Sequence, residues 1–116
     1  MPAPGFANIT FSVEDGHLVM RAVARSTGRP YRHACPAASF EAVAHELDAA
    51  GPGGLTREVL RRRTGLPWSR IRVALLFLDE RTVLNRRGRR GGVYVPATPA
   101  VHLDAMTEYH ALREGA

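Results

Sequence analysis

Four arginines, Arg86, Arg87, Arg89 and Arg90, fall within five positions of the stretch TVLNRRGRRGGVYVP, from Thr82 to Pro96. Like charges this close repel one another unless something anionic sits opposite them. A guanidinium group makes paired hydrogen bonds to phosphate oxygens or to the edge of guanine, so the chemistry on offer is recognition of a polyanion. Other chemistry is poorly provided for. His33-x-Cys35 would put an imidazole and a thiol on one face of a strand, and Asp104, Glu108 and His110 lie close together in the last helical segment. Four good ligands at a dedicated spacing are missing, so no metal site is expected. With no lysine for a phosphate loop, and no serine or cysteine with a base at a recognisable spacing, no catalytic residue, cofactor or enzyme activity is expected.

The basic charge is regional. Residues 57–90 carry eleven arginines against Glu58, Asp79 and Glu80, a net +8, whereas the rest of the 116-residue chain is −3 and the whole is +5. Such asymmetry is the footprint of a surface for nucleic acid or for an anionic membrane. All sixteen basic residues are arginine, which suits bidentate contacts, although a GC-rich coding bias accounts for the missing lysines equally well.

Length and composition imply one domain around a single core. No apolar run approaches the roughly 18 residues of a membrane span. The start, MPAPGFANITF, lacks the basic-then-apolar pattern of a secretory signal. With a single cysteine, Cys35, this leads to the expectation of a cytoplasmic protein without disulfides or membrane partners.

The elements that would carry the arginines follow from periodicity. Ile9, Phe11 and Val13 alternate with polar residues, Asp15-Gly16 supplies a turn, and Leu18, Met20 and Ala22 alternate again, which predicts a hairpin. A short third strand is expected over residues 31–35, ended by Pro36. From Ser39, a plausible N-cap, the period becomes helical through Phe40, Val43, Ala44 and Leu47 until Gly51-Pro52-Gly53. Thr56 caps a second short helix that Gly65 ends. A third helix runs from about Pro67 or Trp68 to Arg81, with Ile71, Ala74, Leu75 and Leu78 on one stripe. Strands over 82–85 and 92–95 would enclose the arginine loop. A last amphipathic helix, about 101–113, places Val101, Ala105, Tyr109 and Leu112 on one face.

The stretch LTREVLRRRTGLPWSRIRVALLFLDERTVL, Leu55 to Leu84, resembles the helix-turn-helix core of winged helix regulators such as the MarR and GntR families. The match rests on Val59 and Leu60 in the second helix, Gly65 and Leu66 in the turn, the apolar stripe of the third helix, and LDER before the first wing strand, with NRRGRRGGVYVP as the wing. The resemblance implies an α+β fold, a winged helix-turn-helix over 37–98, flanked by an N-terminal β-hairpin extension over 1–36 and a C-terminal helix within 99–116. It departs at Pro67, where a small hydroxyl residue is usual, and at Thr82, where glycine is usual because a left-handed helix terminus disfavours β-branched residues.

The resemblance also implies roles. Trp68, Ser69, Arg70, Arg72 and Val73 near the start of the third helix would face bases or phosphates in the major groove. Arg57, Arg61, Arg62 and Arg63 would contact the DNA backbone, and the wing arginines would grip phosphates or a narrow minor groove. The partner implied is double-stranded DNA, and the function a sequence-specific, bacterial-type transcriptional regulator. The apolar face of the last helix is expected to build a homodimer interface. Val73, Leu76 and Phe77 lie off the core stripe and need a cover, for which the N-terminal hairpin is the leading candidate. Two other readings stay open: a winged helix serving as a protein-interaction module, and an RNA or non-specific nucleic-acid binder.

Overall fold

Alternation of apolar and polar residues produces the first sheet. In the computed structural model, which describes residues 5–115, β1 (Phe6–Glu14), β2 (His17–Ala24) and β3 (Pro30–Pro36) form an antiparallel sheet in the order β1-β2-β3. Residues 1–4, part of the expected N-terminal extension and of the start read for a secretory signal, lie outside the described residues, as does residue 116. Asp15 and Gly16 take φ of 51° and 73°, the left-handed pair that lets a two-residue turn follow the twist of its strands. Leu18, Met20 and Ala22 face the core, as the alternation predicts. A bulge between Ala7 and Thr10, with Asn8 at φ 55°, interrupts β1 and was not legible in the sequence.

The helix α1 (Ala37–Ala50) starts two residues before the expected cap. Ser39 is buried inside it and does not cap it. The first helical N–H, that of Ala37, donates instead to the Gly16 carbonyl at 3.0 Å, so the β1–β2 turn serves as the helix's acceptor. A two-residue strand β4 (Leu55–Thr56), absent from the sequence-based reading, leads into α2 (Arg57–Thr64). Thr56 caps α2 through Val59 N–H, as expected, and Gly65 ends it at φ 69° with its N–H on the Arg61 carbonyl. Three residues later α3 (Trp68–Glu80) begins. Its far end closes through a bond from Val83 N–H to the Leu78 carbonyl across Thr82, which sits at φ 59° in the left-handed region.

The strands β5 (Leu84–Arg87) and β6 (Val93–Pro96) complete a second antiparallel sheet in the order β4-β6-β5. They start later than the sequence suggests, so Arg86 and Arg87 are strand residues paired with Tyr94 and Val93, and only Arg89 and Arg90 lie in the tip. Gly54 precedes β4 at φ 71°, and a side chain there would strike the Tyr94 carbonyl, so the close passage against β6 requires glycine.

The helix α4 (Val101–Arg113) has the expected span but lies against α1 and β1. One core joins all layers: Phe40 of α1 packs edge-on to Phe77 of α3 at 5.7 Å and stacks with Tyr109 of α4 at 5.6 Å, and Phe11 of β1 meets Phe77 at 5.3 Å. Val101, Ala105 and Tyr109, expected to join two subunits, are therefore buried within their own chain, and Leu112 is half-buried against the same core. Among the described residues, no helix is long and apolar enough to cross a membrane.

Candidate nucleic-acid interface

The eleven arginines of the basic segment fall into an exposed set and a captured set. On α2, Arg61, Arg62 and Arg63 occupy the last turn, where the negative end of the helix dipole favours cations. All three are exposed, and among the described residues Arg61 and Arg62 have no acidic partner; Arg63 reaches Glu46 at 3.7 Å. Arg57, in the first turn, lies 5.0 Å over the ring of Trp68 and 3.7 Å from Glu58.

The β5–β6 hairpin divides its arginines by strand alternation. Arg86 stays on the side of α3, with its guanidinium 5.4 Å over the Tyr94 ring and its Nε donating to the Gly91 carbonyl. Arg87 turns the other way and donates to the Pro52 carbonyl at 3.2 Å. Arg89 and Arg90 sit at the tip, exposed, and among the described residues neither has an acidic partner. Among the described residues Arg86 and Arg87 likewise have no acidic partner, and their side-chain hydrogen bonds go to backbone carbonyls.

The start of α3 is where the sequence-based roles need correction. Val73 is fully buried and cannot face a base. Phe77 meets Phe11 of β1 and α3 packs against β3 and β2, so the N-terminal sheet, its third strand included, covers this side of the helix, while Leu76 stays half-buried. Arg70, about 200° round the helix from Trp68, is turned toward β3. There its positive charge, with that of Arg72, joins burial, the larger cause, in lowering the His33 pKa. The same charge opposes the burial that pushes the Cys35 thiol up to about 12. Arg72 is captured: its Nη2 donates to the Tyr31 hydroxyl at 2.8 Å, and its guanidinium lies 5.0 Å over Phe6. Its Nε is buried and has no partner among the described residues. Such an orphaned donor costs about 1 to 3 kcal/mol.

What α3 still presents is a half-exposed arc of Trp68, Ser69, Arg72, Leu76 and Asp79. Trp68, Arg72, Leu76 and Asp79 line a small cleft of about 20 Å³ with Arg86 and Tyr94 of the β5–β6 hairpin. No protein-family model, curated protein or solved structure matches the chain. The site therefore has to be read from its own geometry.

Two of the residues weighed for a metal, Asp104 and Glu108, are engaged elsewhere. Asp104 accepts from Thr98 Oγ1 at 2.5 Å, Glu108 is 3.1 Å from Arg81, and His110 is exposed. Cys35 is buried and held as a thiol, a poor ligand and a poor nucleophile. Tyr31 and Phe6 are the residues that sequence reasoning missed. The sequence marks Tyr31 only as the start of a short third strand and gives Phe6 no role, so nothing in it points to the arginine they meet.

Proposed function

We propose that this chain is a winged helix-turn-helix protein that binds double-stranded DNA through α2, the open arc of α3 and the β5–β6 hairpin, and acts as a transcriptional regulator. The observation that carries the reading is a coincidence of topology and charge. The order α1, β4, α2, α3, β5, β6 with sheet order β4-β6-β5 is the arrangement expected of a winged helix. Its exposed arginines, of which Arg61, Arg62, Arg89 and Arg90 have no acidic partner among the described residues, lie on the two elements that flank α3.

In this reading the hairpin is the wing and supplies attraction to phosphates, together with the last turn of α2. Sequence discrimination falls to a narrower set than the sequence suggested: Trp68, Ser69 and Arg72, with Arg70 and Val73 removed. A homodimer would have to use a surface other than Val101, Ala105 and Tyr109, which the monomer's core already occupies.

The test is competition among mixed-sequence duplex DNA, duplex RNA and single strands for the full chain at one salt concentration. Duplex DNA is expected to win. A deep, narrow RNA major groove would exclude α3, so a preference for RNA would contradict the reading.

A further inference from the structure

The wing leaves one side of α3 unaccounted for. On that side the N-terminal sheet does more than cover apolar residues. Burial falls steadily along β3: Cys35 is fully buried, His33 and Tyr31 are half-exposed, and everything from Arg25 to Pro30 is exposed. Tyr31 is the residue that touches Arg72 on the open arc of α3, and it pairs with Ala22 in β2. The β2–β3 turn, residues 25–29, thus lies just beyond the point where the sheet meets the open arc, and all of it is exposed.

That turn is basic. It carries Arg25 and Arg29 and no acid. Arg25 is held, its Nε donating to the Phe6 carbonyl at 2.9 Å and its N–H to the Gly5 carbonyl. The guanidinium of Arg29 has no partner among the described residues. The turn itself is braced by bonds from Gly28 N–H to the Ala24 carbonyl and from Ala24 N–H to the Arg29 carbonyl. The other arginines of the sheet, Arg21 and Arg32, lie on its far face with Glu14 between them. Among the described residues, the sheet thus keeps the two arginines without an acidic partner at the tip, and Glu14 pairs with the other two.

We propose that the β2–β3 turn is a second basic arm, which places Arg25 and Arg29 on the phosphate backbone across the groove from the wing. The shapes agree. An α-helix with its side chains is about 10 to 12 Å across, and the major groove of B-DNA is about 12 Å wide with a sugar–phosphate strand on each rim. Phe77, which meets Phe11 of the N-terminal sheet, lies about 180° round α3 from Trp68, which lines the cleft with Arg86 and Tyr94 of the hairpin; two basic tips carried on these two flanks would match the two rims of one groove. The N-terminal sheet then has three roles: it buries Val73 and Phe77, fixes Arg72 through Tyr31 and Phe6, and contacts the second strand.

This inference rests on the reading of α3 and the wing as a duplex-DNA site, and salt dependence separates the two. Binding of the full chain to one mixed-sequence duplex is measured over a range of salt for wild type, Arg25→Ala/Arg29→Ala, Arg89→Ala/Arg90→Ala, and the control Arg32→Ala/Arg113→Ala, which removes the same charge elsewhere. Each arm variant is expected to flatten the log–log salt slope by about 2, from about 0.9 per phosphate contact. The two should add when combined, and the control should leave the slope unchanged. Since Arg25 also braces β1, Arg29→Ala alone is included, with an expected flattening of about 1 and an unaltered melting temperature. If the turn variants match the control while the wing variant loses slope, the second arm is wrong and the DNA reading stands. If wild type shows no salt-dependent affinity for duplex, both fall.

Discussion

The hydroxyl of Tyr31 accepts a 2.8 Å hydrogen bond from Nη2 of Arg72, a contact that spans 41 positions of the chain and joins the N-terminal sheet to the open face of α3. A long, flexible cation is thereby fixed by an aromatic hydroxyl and an aromatic face. The fixed side chain of Arg72 lines the cleft it shares with Trp68 and Arg86.

Removing that acceptor should be costly. Tyr31→Phe is expected to lower stability in urea denaturation by about 1.5 kcal/mol, the range for a hydrogen bond to a charged group. Arg72→Met retains much of the contact with Phe6 and deletes the orphaned Nε, so its stability should stay within about 1 kcal/mol of wild type. On DNA, Arg72→Met should reduce the preference for a selected site over a scrambled duplex by about 5- to 150-fold, equivalent to about 1 to 3 kcal/mol. Equal discrimination by wild type and Arg72→Met would remove Arg72 from the reading set.

Thr82 holds a β-branched residue at φ 59° where the chain leaves α3 for β5. The left-handed conformation costs an L-residue about 1 to 2 kcal/mol, which glycine's larger unfolded-state entropy only partly cancels. Thr82→Gly should raise stability by about 0.5 to 1 kcal/mol in the same assay. A loss of stability would mean that the Thr82 hydroxyl, which donates to the Arg81 carbonyl at 2.6 Å, outweighs the strain.

The burial of α4 changes what a truncation should do. Deleting the residues after Pro99 would expose the face of Phe40 that stacks on Tyr109 and is expected to abolish cooperative unfolding, rather than to release a folded monomer from a dimer. Tyr109→Ala should cost about 3 kcal/mol, as for other large aromatic deletions in a core. Its molar mass by light scattering should equal that of wild type. A folded truncation with half the wild-type mass would restore the α4 dimer.

Acid should loosen the outer face of the first sheet. Glu14 is held down at about 2, first by the hydrogen bond from Arg21 and then by that from Ser12, against an ordinary value of 4.5. The folded value lies below the unfolded one, so this contribution to stability is complete above about 4.5. It fades as pH falls toward about 2. Glu14→Gln should therefore narrow its stability gap to wild type as pH drops through that window. The effect should be small, because the pair is solvent-exposed. A gap that is constant from neutral pH to 2 would contradict it.

The sequence was most legible where one period dominates. The spans of the third and fourth helices and the alternation of Leu18, Met20 and Ala22 could be read because each carries one regular apolar period, even though α3 and β2 also bury Val73, Phe77 and Val19 on a second side. Local signals failed where partners are distant. Ser39 has the right type for a cap, but the Gly16 carbonyl already serves the helix start. The face of Val101, Ala105 and Tyr109 looked unpartnered because nothing local shows that Phe40 stacks on it. The same limit governs the candidate site. The arginine clusters are visible as charge, whereas the capture of Arg72 by Tyr31 and the burial of Val73 depend on a sheet whose packing direction no local pattern records.

If the arginines of α2 and the β5–β6 hairpin that have no acidic partner among the described residues hold the phosphates of duplex DNA, binding must weaken steeply with salt. For wild type, the logarithm of affinity is expected to fall against the logarithm of salt concentration with a slope near −5, from about six phosphates at about 0.9 each. Replacing Arg86, Arg87, Arg89 and Arg90 by alanine should weaken binding to every duplex by similar factors and flatten that slope by about 3 to 4. An affinity insensitive to salt, or a hairpin variant with the slope of wild type, would contradict the claim.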